Sequence, residues 1–276
     1  MTPSDLHPTA VQASGSGLPY GPWTRLPYQD TPRFDGASLL DKWDRLHAGQ
    51  WVTPPAPGAL ADGWALYHSG EFEQAVALAL RQGPDGLALA NQATAIYANY
   101  LEPREAVRLA LFKQVAERAA AQAGAAPDDC MALYWQAYAL GRYSQGISVA
   151  RALAQGLGSK VKGALERVIE LQPRHADAHI ALGAFHAEVI DKVGSLVGRM
   201  TYGVRAETAV ELFERGLQLN PHSASSLMEY ARGLLMLHGE SRMAEATRLY
   251  EKAASLEPAD ARERLDVELA RAGLSD

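Results

Sequence analysis

Ala209-Val210-Glu211-Leu212-Phe213-Glu214-Arg215-Gly216-Leu217-Gln218-Leu219-Asn220-Pro221 is the stretch on which the fold of this chain turns. Ala209, Phe213, Gly216 and Pro221 stand at offsets 0, 4, 7 and 12. A small residue lets a neighbouring helix approach. The aromatic one turn later fills the gap, and a second small residue follows on the same stripe. The proline then ends the helix, because it cannot donate an amide proton and biases the residue before it away from helical geometry. Ala246, Tyr250, Ala253 and Pro258 repeat those offsets, and Val161, Leu165, Val168 and Pro173 follow them with larger side chains. Such recurrence predicts an all-α, right-handed solenoid of about five helix pairs closed by a C-terminal capping helix. Architectures of that kind bind far more often than they catalyse.

Working outward, the pairs are expected at Ala59–Ser69 with Glu71–Arg81, Leu87–Leu101 with Arg104–Ala123, Met131–Tyr143 with Lys160–Leu171, Ala176–Ile190 with Glu207–Leu219, and Ala224–Leu237 with Ala244–Leu256. Ala261–Ala272 follows as the cap. Leu265 and Leu269 mark its apolar face, and Arg262, Glu263, Arg264, Asp266, Glu268 and Arg271 give a polar outer face. Residues 1–58 read differently. They hold nine of the fifteen prolines, too many for long regular structure. They form a Pro-rich N-terminal arm ahead of the repeat domain at 59–276. One short amphipathic helix is expected from Phe34 to Ala48, capped by Asp35, with Leu39, Leu40, Trp43 and Leu46 on its apolar face. The arm also carries Tyr20, Trp23, Tyr28 and Trp51, which predicts that it lies on the chain's own helices as a cap or as a plug in the concave face.

The 276 residues are 47% apolar with a net charge of −6, so the chain as a whole is not expected to bind nucleic acid. The single cysteine, Cys130, excludes an intrachain disulfide and reads as a small core residue. No basic segment followed by an apolar run opens the sequence, and no apolar stretch is long enough to span a bilayer. A cytoplasmic protein is the expectation.

The stretch Ala178–Pro221, with Leu182-Gly183 in its first helix and Ala209, Phe213, Gly216 and Pro221 in its second, resembles tetratricopeptide repeats. The long first helix, a glycine-containing insertion ending at Met200-Thr201-Tyr202-Gly203, and the return through Ala209–Phe213 are similar to divergent repeats of two families. These are the regulator of microtubule dynamics family and the T component of TRAP transporters. The resemblance covers roughly the last 145 residues. The first family implies a eukaryotic partner, and the second implies a periplasmic ligand role. A tetratricopeptide repeat is about 34 residues long. Pro221 to Pro258 is 37, whereas Pro173 to Pro221 is 48. The excess maps to two insertions, Ser144–Ser159 and Asp191–Arg205, between the first and second helices of the third and fourth pairs. Insertions of this kind fall on one rim of a solenoid, often the binding rim.

Charge points to the same place. Residues 142–205 carry nine basic and five acidic side chains, whereas each flank is net −5. Aromatic and arginine side chains anchor interfaces. Trp135, Tyr138, Arg142, Tyr143, Lys192, Arg199 and Tyr202 are therefore the candidate partner-binding residues. The expected partner is a protein or peptide of acidic character, bound without catalysis, cofactor or metal through the concave face and the insertions. One alternative is a small-molecule pocket enclosed by the two insertions. A second is a metalloprotein or enzyme built on His175, His179 and His186. His179 and His186 fall in core-packing slots, however, and lie about 10 Å apart along a helix, too far to share an ion. Gly156-Leu157-Gly158-Ser159-Lys160 lacks the spacing of a phosphate-binding loop and reads as a linker into a helix. Asp128-Asp129 reads as a helix cap, and Glu188 with Asp191 as a solvated face.

Overall fold

The computed structural model describes residues 21–275, and no strand occurs among them. Tyr20 and the first prolines lie outside the described residues. The arm contributes α1 (Gly36–Leu40) and α2 (Trp43–Leu46). Five antiparallel pairs follow: α3 (Ala59–His68) with α4 (Phe72–Arg81), α5 (Leu87–Tyr100) with α6 (Glu105–Ala125), and α7 (Cys130–Gln145) with α9 (Leu157–Leu171), between which α8 (Val149–Ala154) intervenes. The fourth pair is α10 (Ala176–Val193) with α12 (Ala206–Leu219), separated by α11 (Ser195–Tyr202). The fifth is α13 (Ala224–His238) with α14 (Met243–Ala254), and α15 (Ala261–Gly273) ends the array.

The helices begin and end for local reasons. Asp129 caps α7 by accepting from the amides of Met131 and Ala132 at 3.0 and 3.1 Å. Gly70, at φ 84°, closes α3 so that the Glu71 amide returns to the Leu66 carbonyl at 2.9 Å. The helices α9 and α12 stop at Leu171 and Leu219, two residues before Pro173 and Pro221. The two insertions are separate short helices on the rim, not bent extensions of α7 and α10.

The spacing of the opening motif is explained by contact. Ala209 and Phe213 are fully buried. A methyl group at Gly216 would stand 2.5 Å from Ile180, and one at Gly233 would stand 2.4 Å from the Phe213 ring. Ile180 thus fills the space that Gly216 leaves open, Phe213 fills the space left by Gly183 of α10 and Gly233 of α13, and the Phe213 ring stacks on Tyr230 with centroids 5.2 Å apart. His179 and His186 are buried on α10 as packing residues, and His175 caps that helix by accepting from the Ala178 amide.

The described part of the arm, residues 21–58, is joined to the body at several points. The Trp23 indole stacks on Tyr97 at 3.9 Å, and Leu39 and Trp43 are buried in the main core. The helix expected over 34–48 is two helices, broken where Lys42 takes φ −110°, ψ 5°. Beyond α2 the chain reaches the start of the fourth pair. The Gly49 carbonyl accepts from the Asp177 amide at 3.1 Å, and Gln50 Nε2 donates to Asp177 Oδ2 at 2.9 Å. Trp51, at φ 53°, lies under the Arg174 guanidinium.

The end of the array meets its beginning. On α15, Asp260 and Glu263 reach His68 and Arg45, each at 2.5 Å, and Arg264 reaches Asp30 at 2.9 Å. The Tyr100 hydroxyl donates to Asp266. The charged face expected to point outward from the cap is therefore not a solvated face. Asp266 is 3% exposed, because α15 is packed on α3, α13 and α14 and has polar partners on the first two pairs. The solenoid is closed, and its concave face becomes a lumen.

Candidate functional site

The lumen is a cavity of about 140 Å³, with walls from the first helices of the second to fifth pairs and from α9 and α15. Its sides are apolar and aromatic: Ile96, Tyr100, Tyr134, Tyr138, Leu165 and Phe185. Two ion pairs cross it. Arg142 binds Glu229 at 2.8 Å and lies over the Tyr138 ring at 5.3 Å. Arg262 binds Asp177 at 3.3 Å. Burial alone would raise the Glu229 carboxyl, but Arg142 and Arg232 outweigh it and hold the group below the usual range. Burial pushes Glu188 up, although Lys192 stands 3.7 Å away and Gln145 donates to it. Glu188 is thus a lumen residue, not part of a solvated face.

Towards the rim the lumen continues into a groove of about 90 Å³ between the insertions. Ser144, Leu157, Gly158, Phe185 and Glu188 line both spaces. Val149 and Leu153 of α8 form one side of the groove, and Lys192, Val193 and Tyr202 form the other. The insertions touch: a methyl group at Gly158 would stand 2.8 Å from the Tyr202 ring, which also meets Phe185 edge-on. Outside the groove Leu196, Val197 and Met200 are 71%, 52% and 81% exposed. Arg151, Lys160 and Arg199, also exposed, have no carboxylate within ion-pair distance among the described residues.

The seven residues singled out by sequence separate into three groups. Tyr138 and Arg142 line the lumen, and Lys192 and Tyr202 line the groove that joins it. Arg199 is exposed on α11, while Tyr143 is half-buried against the core, and neither lines either space. Trp135 is fully buried, with its ring centroid 5.1 Å from Tyr138, so it supports the wall from behind. Sequence reasoning missed Tyr100, Asp177, Glu229 and Arg262, which four different helices bring together. The spacing of Ala132, Trp135 and Ala139, all fully buried, was a legible sign that Trp135 packs inward.

The central histidines do not converge. His175 accepts an amide at its Nδ1, His179 Nε2 donates to the Pro173 carbonyl at 3.0 Å, and His186 Nδ1 faces the backbone of Arg205. Burial lowers all three, His175 to about 4, so they stay neutral near pH 7. Cys130 is buried at the start of α7, and burial, with Asp129 and Asp128, raises its thiol. Among the described residues no helix is long and apolar enough to cross a membrane.

Comparison with solved structures decides the fold. A thermophilic TPR protein of Thermus thermophilus, TTC0263, superposes with a TM-score of 0.54 at 19% identity, over 78% of this chain and 97% of that one. The fold is a tetratricopeptide-repeat solenoid. MamA of MSR-1 (TM-score 0.41, 14% identity, 71% of this chain and 92% of that one) is a weaker match. So is a monomeric mutant of IFIT1 with Gppp-AAAA (0.41, 15%, 81% of this chain and 55% of that one). No family model matches the sequence, and no curated protein matches it. None of these comparisons links the chain to the regulator of microtubule dynamics family or to the T component of TRAP transporters.

Proposed function

We propose that this solenoid is a non-catalytic scaffold that takes an acidic peptide segment of a protein partner into its lumen, entering between α8 and α11. The observation that carries this reading is the mouth. Five large apolar side chains are exposed there, at Val149, Leu153, Leu196, Val197 and Met200, with the cations Arg151 on α8, Arg199 on α11 and Lys160 at the start of α9 unpaired among the described residues. Apolar surface rimmed by one sign of charge marks an interaction site. Tyr138, Arg142, Lys192 and Tyr202 would meet the inserted segment, and Arg199 and Tyr143 would meet what remains outside. A cytoplasmic site of action fits this reading.

The charges of the lumen support binding without chemistry. Arg142 is matched by Glu229 and Arg262 by Asp177, and at the groove Lys192 stands beside Glu188, so the charged groups are engaged with one another. One observation favours the small-molecule reading. The lumen is closed where α15 meets the first repeats, so a segment can enter it but not run through it. The test is a selection from a random peptide display library on the full chain. Enriched peptides are expected to pair acidic residues with a large apolar residue. They should bind the parent at least about tenfold more tightly than Ala184→Trp, which fills the lumen from α10. Equal binding to both proteins would refute entry into the lumen.

A further inference from the structure

A second, smaller chamber of about 30 Å³ lies behind the Arg262–Asp177 pair, where the arm, α3, α5, α10, α13 and α15 meet. His47, Gln50, His68 and Gln92 line it, and none is more than 4% exposed. Each is anchored by one polar atom. His47 Nδ1 faces the Trp43 carbonyl at 3.2 Å, and His68 Nδ1 faces Asp260 Oδ2 at 2.5 Å. Gln50 Nε2 donates to Asp177 at 2.9 Å, and Gln92 Nε2 donates to the Tyr67 hydroxyl at 2.9 Å. Each then has one buried atom without a partner: His47 Nε2, Gln50 Oε1, His68 Nε2 and Gln92 Oε1.

The anchors fix what those atoms are. A carbonyl and a carboxylate only accept, so both imidazoles carry their proton on Nδ1, and in the neutral rings Nε2 is a bare lone pair. Both amide nitrogens are engaged, so the amide oxygens are what remains. These four side chains leave four unpartnered acceptors in a chamber that the Tyr67 hydroxyl and the Arg262 guanidinium also line. An imidazole whose Nδ1 is held by a carboxylate or carbonyl is the arrangement that orients histidine for a metal ion. The wall charge has the matching sign. Arg45 is paired with Glu263 and Arg262 with Asp177, which leaves Asp260, the carboxylate behind His68.

We propose that this chamber binds one divalent transition-metal ion, of which zinc is the type, through His47 Nε2 and His68 Nε2, with Gln50 and Gln92 supplying oxygen. The set differs from the usual clusters: among the described residues no three His, Cys, Asp or Glu side chains are grouped to hold an ion. The two histidines come from the arm and from the first repeat, and the carboxylate behind His68 comes from the start of α15. An ion here would tie the arm and both ends of the solenoid together.

The test uses the full chain without an affinity tag, stripped with chelator and titrated with cobalt(II) and zinc(II). One cobalt per chain, with visible ligand-field bands that zinc abolishes, is expected. His47→Phe keeps the aromatic stack on Trp43 and should weaken binding by about 100-fold or more, and Asp260→Asn by about 10–100-fold. His222→Ala with His238→Ala, both exposed, should leave it unchanged. A parent protein that binds neither metal overturns the proposal even if a variant fails to fold. So does binding that survives His47→Phe and disappears with the two exposed histidines.

Discussion

The stack from α10 to α14 and the seam where α15 meets the arm close the same molecule by opposite means. In the stack, Phe213 lies between helices that glycine has allowed to approach, and its contacts are dispersion and apolar burial. In the seam, α15 is joined to the first two pairs and the arm by hydrogen bonds and ion pairs at Asp260, Glu263, Arg264 and Asp266. Apolar packing is insensitive to pH and tolerates no lost volume. A buried polar seam is costly whenever one partner is missing or a carboxyl is ionised without compensation. The repeats are thus held individually by shape, and the ring by polar complementarity.

The largest expected effect tests the stack. Phe213→Ala should cost about 3–5 kcal/mol, because the ring is fully buried between Tyr230 and the glycines of α10 and α13. Urea unfolding measures it, and a loss below about 1 kcal/mol would mean that the repeats are not packed on that ring.

An intermediate effect, with a sign, tests the seam. Burial raises Asp266 to about 7 from its ordinary 3.8, against the pull of Arg262 and Tyr100. The folded chain then holds this proton more tightly than the unfolded chain, so the group's contribution is full below the unfolded value and is lost as pH rises towards 7. Asp266→Asn removes that titration. Its stability relative to the parent should improve by about 1–3 kcal/mol between about pH 5 and about pH 8, measured without added metal. No change in that difference would show that Asp266 is solvated.

The smallest effect is expected at the rim. Leu196→Ser with Met200→Ser should change stability by no more than about 0.5 kcal/mol, since both side chains are exposed. The same pair should weaken any peptide that needs the mouth. A large loss of stability would instead make α11 part of the core.

How far the sequence could be read follows the same division. The five pairs and the place of the insertions were legible because the relevant pattern is local: small, aromatic, small, proline along one helix. The same logic put His179 and His186 in packing slots. The seam was not legible. Arg262 and Asp266, on a helix rich in both charges, look like any solvated face, and their partners Asp177 and Tyr100 are 85 and 166 residues away. Trp135 was misplaced because interface enrichment of aromatics says nothing about which side of a helix they occupy. Its neighbours Ala132 and Ala139 do. Arg142 and Tyr138 could be singled out by type, but the pairing of Arg142 with Glu229 needed the solenoid to close first.

End-to-end closure is the claim on which the lumen, the chamber and the partner reading all depend. It is tested most directly by a double-mutant cycle on His68 and Asp260, both almost fully buried and 192 residues apart in the chain. His68→Ala, Asp260→Ala and the double variant are unfolded in urea at neutral pH without added metal, and the cycle removes the separate capping role of Asp260 on α15. A closed ring predicts a coupling of about 1.5 kcal/mol or more, as for a buried charge-assisted hydrogen bond. A coupling within about 0.3 kcal/mol of zero would mean that the two ends do not meet in solution, and that the lumen is an open groove.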